Sequence, residues 1–110
     1  MADVISDRER GEERKYGKDQ EMQFRVEARR NRLLGQWLAS QFGMGPAETE
    51  EYAKEVVIAD LEEPGIEDLI GKVMGDISER DIDISDKLLR EKIAELDLVA
   101  IQQLNEENKG

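Results

Sequence analysis

The chain has 110 residues, 16 Lys and Arg against 27 Asp and Glu, and neither cysteine nor histidine. Those counts exclude disulfides, thiolate zinc sites, cysteine nucleophiles and the usual general base near neutral pH. They allow one domain with a small core, packed mainly by aliphatic side chains because only five residues are aromatic.

Charge is unevenly spread. Residues 1–32 carry nine Lys/Arg and eight Asp/Glu, whereas residues 33–110 carry seven and nineteen. An acidic body repels phosphates over most of its surface, so nucleic-acid binding is not expected. No apolar run approaches the ~20 residues of a membrane span, and the N-terminus has no signal-peptide core. The expected location is cytoplasmic.

Residues 1–18 form a polar arm whose sizeable apolar residues after Met1 are Val4, Ile5 and Tyr16. Gly11 and Gly17 each cost about 1 kcal/mol in a helix relative to Ala. So little apolar surface does not offset the entropy of ordering, and the arm is expected to be disordered or fraying when free.

Residues 19–110 are expected to form an all-α, four-helix domain. The first helix is placed at about 19–42, with Asp19 as N-cap and Gly43 in the left-handed position that stops it. Leu33, Leu34, Trp37, Leu38 and Phe42 share one face, which predicts a Trp-centred buried stripe. Arg25, Arg29, Arg32 and Gln36 share another. That basic stripe is open to two readings: a solvated face, or a docking surface for an acidic partner or for the chain's own acidic helices.

The second helix is expected over 46–61, opened by Pro46 in its first turn and supported there by Glu48, Glu50 and Glu51. Its buried face would be Tyr52, Ala53, Val56, Val57 and Leu61. Glu62-Glu63-Pro64-Gly65 is a turn signal. The third helix, 66–80, has the clearest periodicity, with Ile66, Leu69, Ile70, Val73, Met74 and Ile77 on one face and Gly71 and Gly75 on the other. Asp81-Ile82-Asp83-Ile84 alternates like a strand but has nothing to pair with, so an extended loop with a docked isoleucine is expected. Ser85 caps a fourth helix to about residue 105, buried through Leu89, Ile93, Leu96, Ala100 and Leu104. Residues 105–110 are expected to fray.

Catalytic chemistry finds little support in these residues. Asp76, Asp81, Asp83 and Asp86 cluster, but a calcium loop starting at Asp81 needs Gly at its sixth place and Glu at its twelfth, where the chain has Asp86 and Lys92. Gly43-Met44-Gly45 lacks the rest of a phosphate loop and reads as an inter-helix turn. The chain is not expected to be an enzyme, and no cofactor is required. One reading of the arginines remains open: Arg25, Arg29 or Arg32 would contact an acidic partner or the phosphates of a weakly bound adenine nucleotide.

Three blocks in order carry a family resemblance: Glu27-Ala-Arg-Arg-Asn-Arg-Leu-Leu-Gly-Gln-Trp-Leu-Ala39, Tyr52-Ala-Lys-Glu-Val-Val-Ile-Ala-Asp60 and Glu62-Glu-Pro-Gly-Ile-Glu-Asp68, with Asp7-Arg8-Glu9 near the start. They resemble the zeta subunit of the alphaproteobacterial F-type ATP synthase, a small inhibitor protein. The resemblance implies a cytoplasmic protein peripheral to the inner-membrane synthase and monomeric when free. It also implies that the N-terminal segment wedges between α and β subunits near the central stalk and blocks ATP hydrolysis. Carried over by position, the inhibitory arm comprises Val4, Ile5, Asp7, Arg8, Glu9, Arg14, Lys15 and Tyr16, running into Phe24. The chain departs from the family at Glu12, where an apolar or aromatic residue is usual, and at Gly11 and Gly17. Its arm is therefore a poorer helix former with less anchor surface. Two other functions remain open: an adenine-nucleotide-binding helical module, and an assembly factor that docks on the synthase without inhibiting it.

Overall fold

The fold is described from a computed structural model, which covers the backbone of residues 2–109 and the side chains of residues 20–108. Four helices follow one another among these residues: α1 (Ala2–Gln41), α2 (Pro46–Glu62), α3 (Ile66–Glu79) and α4 (Asp86–Lys109). The expected all-α, four-helix class is the observed one. The first helix does not begin at Asp19 as expected: α1 is continuous from Ala2, and the side chains of the arm, residues 1–18, lie outside the described ones.

Each join follows from local chemistry. At the end of α1, Gly43 has φ +75°. Its N–H donates to Ser40 O (3.2 Å) and the Met44 N–H to Ala39 O (2.9 Å), closing the paired-bond cap that only a left-handed residue permits. The Gly43-Met44-Gly45 segment is thus an inter-helix turn. α2 opens with Pro46 in its first turn, where a missing N–H leaves no bond unmade. α3 ends in the same cap as α1, with the Asp81 N–H on Ser78 O and the Ile82 N–H on Ile77 O, both 3.2 Å. Here the left-handed residue is Asp81, φ 53°, rather than a glycine. The loop that follows has no regular structure and buries Ile84, as its alternating pattern implied. Ser85 caps α4, its Oγ accepting from the Leu88 N–H at 3.1 Å.

α1 packs along both α2 and α4, and α3 closes the bundle against α2 and α4. The core comprises Leu34, Leu38 and Ala39 of α1, Tyr52 and Val56 of α2, Leu69, Ile70, Val73 and Ile77 of α3, the loop residue Ile84, and Leu89, Ile93 and Leu96 of α4. Gly35 of α1 lets the α1 and α2 backbones approach closely, against Ala53.

Several expected positions are corrected. The α1 stripe is centred on Leu34 and Leu38, while Trp37 and Leu33 are only partly buried. Trp37 lies at the edge of the core with the Lys92 ammonium 5.2 Å above its ring, an arrangement suited to a side chain with one dry and one wet face. Leu61 and Ile66 are 54% and 40% exposed, because the α2–α3 turn carries both past the last layer of the core. Residues 105–109 continue α4 instead of fraying, and Glu107 there is bonded to Arg29 of α1.

Candidate partner-binding site

Val4, Ile5, Asp7, Arg8, Glu9, Arg14, Lys15 and Tyr16 lie outside the described side chains, so the geometry below concerns the base of the arm, from Gln20 onward. Phe24, the last expected arm residue, is 57% exposed. It forms one wall of a groove of about 470 Å³ between α1 and the α2–α3 turn. Val57, Leu61 and Ile66 line the opposite side, and Arg30, Asn31 and Asp60 lie at the polar end.

Those three polar residues belong to a buried network. Arg30, only 8% exposed, donates through Nε to Asn31 Oδ1 (3.1 Å) and through Nη1 to Asp97 Oδ1 (3.1 Å). Its Nη2 lies 3.8 Å from Asp60 Oδ2, which also accepts from Asn31 Nδ2 at 2.7 Å. Asp60 and Asp97 together neutralise the guanidinium, and no buried side-chain polar atom among the described residues lacks a partner. The network ties α1 to α2 and α4 one turn beyond the apolar core, on the side toward the arm.

The expected basic stripe mostly meets the chain's own acidic helices. Arg29 donates to Gln103 Oε1 (2.9 Å) and Glu107 Oε1 (2.7 Å) of α4. Arg32 pairs with Glu50 of α2 at 3.6 Å, a surface contact. Arg25 is exposed beside Phe24 in a second, shallower hollow with Gln20 and Glu21. The stripe therefore does not converge on one anion site. Arg30, the most buried of the described arginines, lies outside that stripe. Its signal was present: Arg30 and Asn31 lie four and three residues before Leu34, so they extend the buried stripe itself.

A further polar cluster fixes α2 to α3. Tyr52 Oη donates to Asp76 Oδ2 (2.7 Å), which also receives the Lys72 ammonium at 2.8 Å. Phe42 meets the Tyr52 ring edge-on at 5.5 Å, and Arg80 lies 4.5 Å over Phe42. Burial, then the hydrogen bond to Asp76 and the negative charges of Asp76 and Glu55, push the Tyr52 phenol far above its ordinary range, with Arg80 opposing. Burial pulls the Lys72 ammonium down, but its bonds to Asp76 and Glu55 outweigh that and leave it raised. On the surface, Arg90 forks onto Glu67 with two 2.8 Å bonds and holds that carboxyl below its ordinary value. Arg90 also takes up Asp86 at 2.6 Å.

Asp76 and Asp86 are thus committed to cation and phenol partners. Among the described residues no group of acidic side chains is placed to hold a metal ion, and no helix is long and apolar enough to cross a membrane.

Comparison with curated proteins gave no match. A structure determined in solution by NMR is 44% identical in sequence and superposes with a TM-score of 0.69, covering 78% of this chain and 98% of its own. The family described as ATPase inhibitor subunit zeta matches residues 1–103, which takes in the arm, the groove and all but the end of α4. A match over nearly the whole length settles the family: the chain belongs to the ATPase inhibitor zeta subunits.

Proposed function

We propose that this chain is a non-catalytic regulator that binds the catalytic head of the F-type ATP synthase and inhibits ATP hydrolysis. Its N-terminal arm inserts between an α and a β subunit near the central stalk. The observation that carries this reading is the reach of the family match, which starts at residue 1 and so includes the arm as well as the helical body. In this reading the arm, disordered when free, folds on docking. Val4, Ile5 and Tyr16 supply apolar anchors, and Arg8, Arg14 and Lys15 pair with acidic groups of the enzyme. The body supplies a rigid mount: Arg29 and Arg30 hold the base of α1 to α4 and α2, so an arm entering the enzyme meets a stop at Phe24.

ATP hydrolysis by the cognate synthase, measured with increasing amounts of the chain, tests the proposal. A dose-dependent fall supports it. Binding to the synthase with unchanged hydrolysis would favour the assembly-factor reading.

A nucleotide-binding reading finds Arg29 engaged by Glu107 and Arg32 by Glu50, while Arg25 is exposed. It is the lesser reading, and a saturating NMR shift titration with ATP would be needed to revive it.

A further inference from the structure

Apart from Phe24, the groove at the base of the arm is not used by the reading above. Phe24, Leu61 and Ile66 are 57%, 54% and 40% exposed, and all three face it. Three large apolar side chains converging on one concave surface are more than scattered surface hydrophobicity. Their rim is acidic. Residues 57–68 hold five Asp or Glu and no Lys or Arg. Asp60 is spent on Asn31 and Arg30, and Glu67 on Arg90. Glu62, Glu63 and Asp68 remain exposed, with Glu27 on the α1 side of the groove.

We infer that this groove is a second docking site for the catalytic head, receiving an apolar side chain flanked by Lys or Arg on an enzyme subunit. The inference rests on the inhibitory reading and adds to it a contact made by the body. Two observations select this occupant. The groove shares Phe24 with the arm, only six residues past Lys18, or about 9 Å along a helix. An arm seated in the enzyme therefore carries the groove to the mouth of the cleft. The acidic rim also selects a basic partner and opposes a second copy of this chain, whose own groove has the same charge. The arm would give inhibition, and the groove would set how long the complex lasts.

The test uses the full chain. Leu61→Glu and Ile66→Glu place a carboxylate in the apolar wall at exposed positions, so the melting temperature should hold. Each should raise the half-inhibitory concentration roughly tenfold, the scale of losing one anchor residue. Leu98→Glu, on the exposed face of α4, should leave it unchanged. Glu62→Lys with Glu63→Lys should weaken inhibition and flatten its dependence on salt. A photo-crosslinking residue at position 66 should capture a catalytic-head subunit. If the parent inhibits and both groove variants inhibit equally well, the groove inference is overturned while the inhibitory reading stands. A cross-link from position 66 to a second copy or to the chain's own arm overturns it as well. If the parent itself neither binds nor inhibits, both readings fall.

Discussion

Gly35 of α1 lies so close against Ala53 of α2 that a Cβ at position 35 would fall 2.6 Å from the Ala53 Cα. No real side chain tolerates that contact with a backbone atom, so the helices must part to admit one. The same substitution has the opposite sign elsewhere: a Cβ on Gly71 or Gly75 of α3 meets nothing within 4 Å.

Gly35→Ala should therefore destabilise the fold by about 1–3 kcal/mol, the range for overpacking, less whatever helix propensity returns. Gly71→Ala and Gly75→Ala should each stabilise by about 1 kcal/mol. Denaturant melts of the three variants check the contrast. A neutral Gly35→Ala would mean that α1 and α2 are not in close contact there.

Asp81 stops α3 in the left-handed conformation, φ 53°, a position that Asp tolerates and glycine prefers. Asp81→Gly should raise stability by about 0.5 kcal/mol after the looser unfolded chain is counted. Asp81→Val should lose about 1–2 kcal/mol. Thermal unfolding of both variants reads the difference, and equal stabilities would place the cap elsewhere.

The Tyr52 phenol gives a pH dependence with a definite sign. Folding favours its neutral form, because burial and the Asp76 bond hold its pKa far above the usual value. That stabilisation is fully present below the unfolded pKa of about 10 and is lost as pH rises beyond it, because the unfolded state then releases the proton first. Stability should fall above about pH 10, and Tyr52→Phe should blunt the fall. At neutral pH, Tyr52→Phe should cost about 1–2 kcal/mol for the lost bond, since Asp76 keeps Lys72. Melting curves across alkaline pH test both statements. A phenolate from Tyr52 appearing in the folded protein near pH 10 would contradict them.

Periodicity and stop signals made most of the fold readable. The buried faces of α3 and α4 followed from their spacing, and Gly43 and Ser85 marked helix ends by chemistry that is local to the backbone. Interactions between helices were harder to read. Arg30, inside a run of charges, resembled its solvated neighbours, yet it is buried because Asp60 and Asp97 approach from two other helices. Trp37 was placed at the centre of the core by its size, whereas its position beside Lys92 puts it at the edge. Gly35 carries no local signal of its close approach, because Ala53, which it meets, lies on another helix. The groove has no signal of its own in the sequence. Leu61 and Ile66 fit the apolar periodicity of their helices, and only the path of the α2–α3 turn leaves them exposed.

The arm's glycines give a prediction about function. Gly11→Ala with Gly17→Ala removes about 1 kcal/mol of helix cost at each site. If the docked arm is helical at both, inhibition should tighten by up to roughly 30-fold. The free protein should gain little helicity, since so short a segment stays marginal in water. Dose–response curves for ATP hydrolysis compare the double variant with its parent. Weaker inhibition by the double variant would mean that the docked arm bends at its glycines.

The central claim is that inhibition belongs to the arm and stability to the body. Among the described residues the core cluster lies between Leu34 and Leu96. ATP hydrolysis by the cognate synthase, titrated with the full chain and with a chain lacking residues 1–18, tests that division most directly when both are also melted. The full chain should inhibit and the shortened chain should not, at nearly equal melting temperatures. Equal inhibition by both chains, or none by the full chain, would contradict the account.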